Sequence, residues 1–306
     1  MKLQDILKTS LDELRMQMLG VQVLFGFQFQ GLFQDRFDGL NPSGRIVDAT
    51  GLVLMIASLG MCIAVPCQHR FVENGADTLR MYRTAQRYAN RALLPLAGGI
   101  GCDLYVAVGR PFGPRLATAF AIVAFLTACA AWFIAGLVLR GLRAANAEAP
   151  MERANTPLHA KIEQMLTEAR VVLPGAQALL GFQLMVMMTK AFDEMPRTVR
   201  DVHLIALSSL TLTIILLISP AAIHRLGFGG QDNQRFHAIG SGLIAMALAP
   251  LALSISCDLY VAFFRLFRAD SVALPAAAGA LALLSTLWYV LPFALRQTSG
   301  RVQADA

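Results

Sequence analysis

Charge is scarce in this sequence. Only 15% of its 306 residues are Asp, Glu, Lys or Arg, while 56% are hydrophobic and the mean hydropathy is +0.55. Soluble domains average about 25% charged residues, so this composition excludes an ordinary water-soluble globule. Cysteine is sparse and odd in number: Cys62, Cys67, Cys102, Cys129 and Cys257 all lie in or beside apolar runs. That excludes a disulfide framework, and without a paired Cys-x-x-Cys there is no zinc ligand set, so the five read as small packing residues. The chain also lacks G-x-S-x-G, a phosphate-cradling glycine loop and H-E-x-x-H. It is therefore expected not to be an enzyme and to carry no cofactor or metal. Met1 to Ser10 has neither the apolar core nor the cleavage site of a signal peptide, so the first apolar segment is expected to serve as its own insertion signal.

What the sequence does have is apolar length. A bilayer crossing needs about 20 residues at a rise of about 1.5 Å each. Eight segments meet this, near 14–33, 46–67, 88–108, 115–139, 169–189, 202–221, 238–264 and 273–295. The expected fold is an all-α polytopic integral membrane protein of eight transmembrane helices. The net charge is +6, but the basic residues cluster between segments rather than on one soluble face. With the N terminus inside, most of the 26 Lys and Arg fall on the cytoplasmic side, which places both termini in the cytoplasm. Trp132 and Trp288 precede Arg140 and Arg296 as interfacial anchors do. The basic and aromatic run Arg80 to Arg91, "RMYRTAQRYANR", adjoins a span, so the expected partner is anionic lipid at the cytoplasmic face rather than nucleic acid. A second copy of the chain is a further candidate partner.

The hexapeptide "CDLYVA" occurs at Cys102 and again at Cys257, an offset of 155 residues. The same offset carries Glu13 and Arg15 to Glu168 and Arg170, Gln22 and Gln28 to Gln177 and Gln183, His69-Arg70 to His224-Arg225, and Pro95 to Pro250. A constant offset over so many landmarks is a duplication. The expected organisation is a four-helix repeat over 1–140, a cytoplasmic linker over 141–164 and a second four-helix repeat over 165–306. An even number of spans per unit makes the two repeats parallel, related by an axis along the membrane normal.

The stretches "LRMQMLGVQVLFGF" and "ARVVLPGAQALLGF", each followed by a span ending in proline and then His-Arg ("PCQHR", "PAAIHR"), resemble a bacterial family of four-span membrane proteins of the domain of unknown function 6328 type. The second repeat is the more similar, with Pro174 where the first has Leu19. The resemblance implies a helical fold and a bacterial inner-membrane location, and no activity.

Polar residues inside the apolar runs are the candidate site. On a helical wheel of the first segment, Glu13, Gln17, Gly20 and Gln28 share one face and Arg15, Gln22, Gly26 and Gln30 nearly the opposite one, a pattern the fifth segment repeats. Helices with glycine and amide on both sides pack against protein on both sides, which puts the first and fifth segments at the bundle centre. Each repeat then has an inner cluster, Glu13, Arg15, His69 and Arg70 or Glu168, Arg170, His224 and Arg225. Each also has a mid-membrane amide, Gln22 or Gln177, and an outer pair, Gln28 with Asp103 or Gln183 with Asp258. Two readings stand. Asp103 and Asp258 are sites where a proton or small cation binds and leaves, with the glutamines as relay. Alternatively the aspartates pair with Arg110 or Arg265 or hydrogen-bond to the neighbouring Tyr and Gln, the glutamines fasten helices, and the protein is a structural or partner-binding membrane subunit. A bis-histidine haem would require His69 and His224 to meet across the repeats. His159, His203 and His237 lack a matching histidine and read as surface or boundary residues.

Overall fold

The computed structural model describes residues 3–34, 37–73, 76, 78–134, 157–228 and 231–296. Among them are eight long helices: α1 (Leu3–Gly31), α2 (Pro42–Phe71), α3 (Leu79–Phe112), α4 (Pro114–Ile134), α5 (Leu158–Val186), α6 (Arg197–Phe228), α7 (Gln234–Phe267) and α8 (Asp270–Arg296). The described residues include no strand, so the fold is all-α. Seven of the helices, α2 to α8, are long and apolar enough to cross a membrane. The eighth, α1, is not among these seven. Its length suffices, but Asp12, Glu13, Arg15, Gln17, Gln22 and Gln28 dilute its hydropathy.

The helices begin where local chemistry permits. Asn41 caps α2, its side chain accepting from the Gly44 amide at 2.7 Å, with Pro42 in the first turn where its missing N–H costs nothing. Thr78 caps α3 through the Met81 amide at 3.0 Å. The charged stretch read as a linker lies outside the described residues as far as 156, and α5 starts at Leu158, earlier than the expected span, because Ile162 and Met165 already have core to pack against. Between α3 and α4 the turn is one residue, Gly113, whose φ of 84° favours glycine. Its counterpart between α7 and α8 takes two, with Arg268 in the left-handed conformation and Ala269 behind it.

Helices of one repeat pack as neighbours in sequence: α2 on α3 and α3 on α4, then α6 on α7 and α7 on α8. The first helices of the two repeats, α1 and α5, pack on each other and on their own repeat. The duplication recurs in hydrogen bonds. Ser58 Oγ of α2 donates to the Ala92 carbonyl of α3 at 2.8 Å, and at the same offset Thr213 Oγ1 donates to the Ala247 carbonyl at 3.4 Å. Both carbonyls lie three residues before a helix-interior proline, Pro95 or Pro250, next to the carbonyl of Arg91 or Met246 that the proline leaves without its intrahelical donor.

The halves are not interchangeable. Helix α8 closes on α2: Trp288, fully buried in a π-helical turn (Thr286–Val290), donates from Nε1 to the Gly60 carbonyl at 3.0 Å. Gly60 makes this possible, since a Cβ there would press on Leu284 and Leu287 at 3.0 and 3.1 Å. Helix α4 has a matching π-helical turn (Ala130–Ile134), yet packs on α3 and turns Phe120, Val123, Leu126 and Ile134 outward.

Candidate functional site

In the second repeat, three helices bring a polar cluster together. From α5, Gln183 Nε2 donates to Asp258 Oδ2 of α7 at 2.7 Å and to Ser254 Oγ, one turn earlier, at 3.0 Å. From α6, His203 Nε2 lies 3.1 Å from the Gln183 carbonyl. A carbonyl only accepts, so Nε2 carries the hydrogen and Nδ1 faces Asp258 Oδ1 at 3.9 Å, beyond direct hydrogen-bond reach. Gln183, His203, Ser254 and Asp258 are all buried, at 0 to 1% exposure. Phe29 of α1 stacks on the imidazole at 5.9 Å and Phe192, from the one-turn helix Lys190–Asp193, meets it edge-on at 5.0 Å. The ring is thus fixed by both repeats.

The first repeat differs at the corresponding place. Position 203 less the repeat offset is Asp48 of α2, a carboxylate where the other copy has imidazole. Gln28 Nε2 donates to the Asp48 carbonyl at 2.8 Å and, more weakly, to its Oδ1 at 3.4 Å. The expected Gln28 and Asp103 pair is therefore replaced by Gln28 with Asp48. Gly51 leaves room for this: a side chain there would strike the Gln28 amide and Cys102 Cβ, whereas the second repeat carries Ala206 at that position. Asp103 of α3 is half-buried, with Oδ1 out of contact with solvent and without a hydrogen bond, and lies within electrostatic reach of Asp48. The Arg110 side chain, its alternative partner, lies outside the described residues. Arg265, the corresponding candidate for Asp258, is buried and donates from Nε to the Leu32 carbonyl at 3.1 Å, joining α7 to the end of α1.

Gln22 and Gln177, the glutamines expected at mid-membrane, are not equivalent. Gln22 is fully buried where α1 meets α5, its amide laid over Gly175 with no hydrogen bond to either atom. Gln177 is exposed on the outer side of α5. The opposed faces of α1 meet different neighbours: Gln17 reaches the Ala89 carbonyl of α3 at 3.3 Å and Gln28 reaches α2, while Gln22 and Gly26 meet Gly175 and Phe182 of α5.

Of the eight residues expected in the inner clusters, His69, Arg70 and Glu168 meet, between repeats rather than within them. His69 Nδ1 lies 2.7 Å from Glu168 Oε1, Arg70 pairs with the other carboxylate oxygen, and Arg70 Nη1 also donates to the Ser241 carbonyl at 2.6 Å. Glu168 is 4% exposed. The related set does not assemble: Glu13, Arg170 and Arg225 are exposed, Arg15 is half-exposed, and His224 stacks on Phe236 at 4.4 Å with Asp232 at 4.0 Å. The asymmetric packing is the reason, because α2 runs against α7 and α8 and so carries His69 and Arg70 to α5.

Three residues escaped the sequence reading: Asp48, Ser254 and His203. His203 was expected as a surface or boundary residue and is fully buried. The signal was present, since position 203 pairs with position 48 at the repeat offset, but the two residues differ in type and a search for identities passes over them. Of the other two histidines, His159 is exposed against Asp232 at 2.6 Å and His237 is half-buried. Among the described residues no three of His, Cys, Asp and Glu converge as a metal-binding group.

A family model described as a family of unknown function (DUF6328) matches residues 3–136 and matches again over 148–292. No curated protein and no solved structure matches the chain.

Proposed function

The chain belongs to that family of unknown function, with its unit present twice, and we propose that it is an eight-span membrane protein that moves protons or small cations. On this reading α1 is the eighth span, shielded from lipid by α2, α3 and α5, and the two four-helix repeats run parallel. The location is the bacterial inner membrane with both termini cytoplasmic, supported by the distribution of Lys and Arg. The chain is not an enzyme, and its partners are anionic lipid and a second copy of itself.

The observation that carries the reading is Asp258. An ionised carboxylate deep in a membrane protein costs several kcal/mol, on the order of 2.5–3.5 by insertion scales, unless it has work or partners. Asp258 has an amide donor and a near imidazole, two groups that accommodate both its charged and its neutral form. The first repeat keeps a carboxylate pair, Asp48 and Asp103, at the matching place. A second reading has its own support: Gln183 joins α5 to α6 and α7 by three hydrogen bonds, which is what a purely structural fastener does.

Flux in liposomes separates the two. Purified protein is reconstituted, and proton and potassium flux are followed for wild type and for the double variant Asp103→Asn/Asp258→Asn. The transport reading expects flux above empty liposomes that is lost in the double variant. Absence of flux from folded wild-type protein over a range of pH and voltage refutes it and leaves the structural reading.

A further inference from the structure

The inner cluster borders a cavity of about 160 Å³ lined by His69, Arg70, Lys161, Glu168, His237 and Ser241. Its chemistry is lopsided. One carboxylate, Glu168, is matched by Arg70 and His69, leaving Lys161 and His237 as additional cationic or donor groups on the same space. His69 is 1% exposed, and its second ring nitrogen, Nε2, is buried with no hydrogen-bond partner. Lys161 and His237 stand in the first turns of two long helices, α5 from Leu158 and α7 from Gln234, on the positive side of each helix dipole.

The other repeat shows what a site without this role looks like. There the counterparts of Met165 and Ser241 are Ser10 and Gln86, and Gln86 Nε2 donates to Ser10 Oγ at 3.2 Å. The counterpart of His237 is Tyr82. In the second repeat Met165 instead folds against Gly240, where any Cβ would meet its sulfur and methyl group, and the space beside it stays open.

We propose that this cavity binds a phosphate-bearing anion, the headgroup of an anionic phospholipid or free phosphate, with Arg70, Lys161, His237 and, as the imidazolium, His69 as its donors. The cavity lies where α2 ends and α5 and α7 begin, the level at which basic pockets between membrane helices hold lipid headgroups. It is separate from the Gln183, His203 and Asp258 cluster, about fifteen residues further along α5, and does not depend on transport.

The test is ligand-dependent thermal stability of the full chain in neutral detergent. Dioleoylphosphatidylcholine, dioleoylphosphatidylglycerol and sodium phosphate are titrated separately, the last against sodium chloride of equal ionic strength, for wild type and Lys161→Gln/His237→Gln. Both substituted residues lie on the cavity wall outside the His69, Arg70 and Glu168 contact, and a variant with wild-type midpoint in phosphatidylcholine is folded. The expected result is a saturable rise in midpoint with phosphatidylglycerol but not phosphatidylcholine, its half-maximal concentration raised roughly tenfold or more in the variant. The same pattern with phosphate alone supports the site and identifies free anion as the ligand. No rise with either, or an equal rise in wild type and variant, overturns the proposal.

Discussion

The two repeats hold the same amide at the same place and put it to different use. Gln183 binds a carboxylate side chain and stands beside an imidazole; Gln28 binds the backbone and carboxylate of Asp48, leaving Asp103 without it. The pattern is the same at the inner end, where Glu168 is buried between His69 and Arg70 while its counterpart Glu13 faces out. Duplication copied residues, and packing decided which copy acquired partners. Where α8 closes on α2 through Trp288 and Gly60, the junction between repeats is tight and polar groups are drawn in; where α4 stands apart, the corresponding groups stay at the surface.

Substituting repeat-equivalent residues one at a time turns this contrast into measurements. Glu168→Ala leaves the mostly buried Arg70 guanidinium without its carboxylate and is expected to destabilise the protein by about 3–5 kcal/mol, against no more than about 0.5 kcal/mol for Glu13→Ala. Unfolding of both variants in mixed micelles checks this, and equal effects would mean that the two inner ends are packed alike. Next in size is Gly175→Ala, whose methyl group has nowhere to go but the Gln22 amide; overpacking of this kind costs about 1–3 kcal/mol. Gly20→Ala, with nothing within 4 Å, is expected to cost nothing in the same assay and to stabilise by up to about 1 kcal/mol through helix propensity.

The smallest effect has the most informative sign. Gln22 is fully buried with both amide atoms unpaired, so Gln22→Leu is expected to stabilise by about 1 kcal/mol, whereas Gln177→Ala on the exposed side of α5 changes little. A loss of stability in Gln22→Leu would instead reveal a water or ion held between α1 and α5.

Much of the architecture was readable before any coordinates. Apolar run length marked α2 to α8, and helix starts such as Leu158 to Leu166 were missed because they gain stability from tertiary contact rather than from hydropathy. The offset of identical residues disclosed the duplication. The partnerships were not readable. Matching Glu13 to Glu168 says nothing of which one meets a histidine, since that depends on how two copies of one surface dock. Gln28 was matched to the wrong aspartate because Gly51, a missing side chain, leaves it room to reach Asp48. His203 was misplaced because its counterpart is Asp48, and divergence between copies is invisible to a search for sameness.

The exchange of Asp48 for His203 also has a genetic side. Were this unit a separate polypeptide assembling as a pair, any codon change would appear in both partners at once, and every site would be either two carboxylates or two imidazoles. Joining the copies in one reading frame lifts that restriction: each half mutates alone, and a mixed arrangement becomes heritable. Cutting the gene between its halves and expressing two copies of either one would undo the mixture, however well the pieces associate.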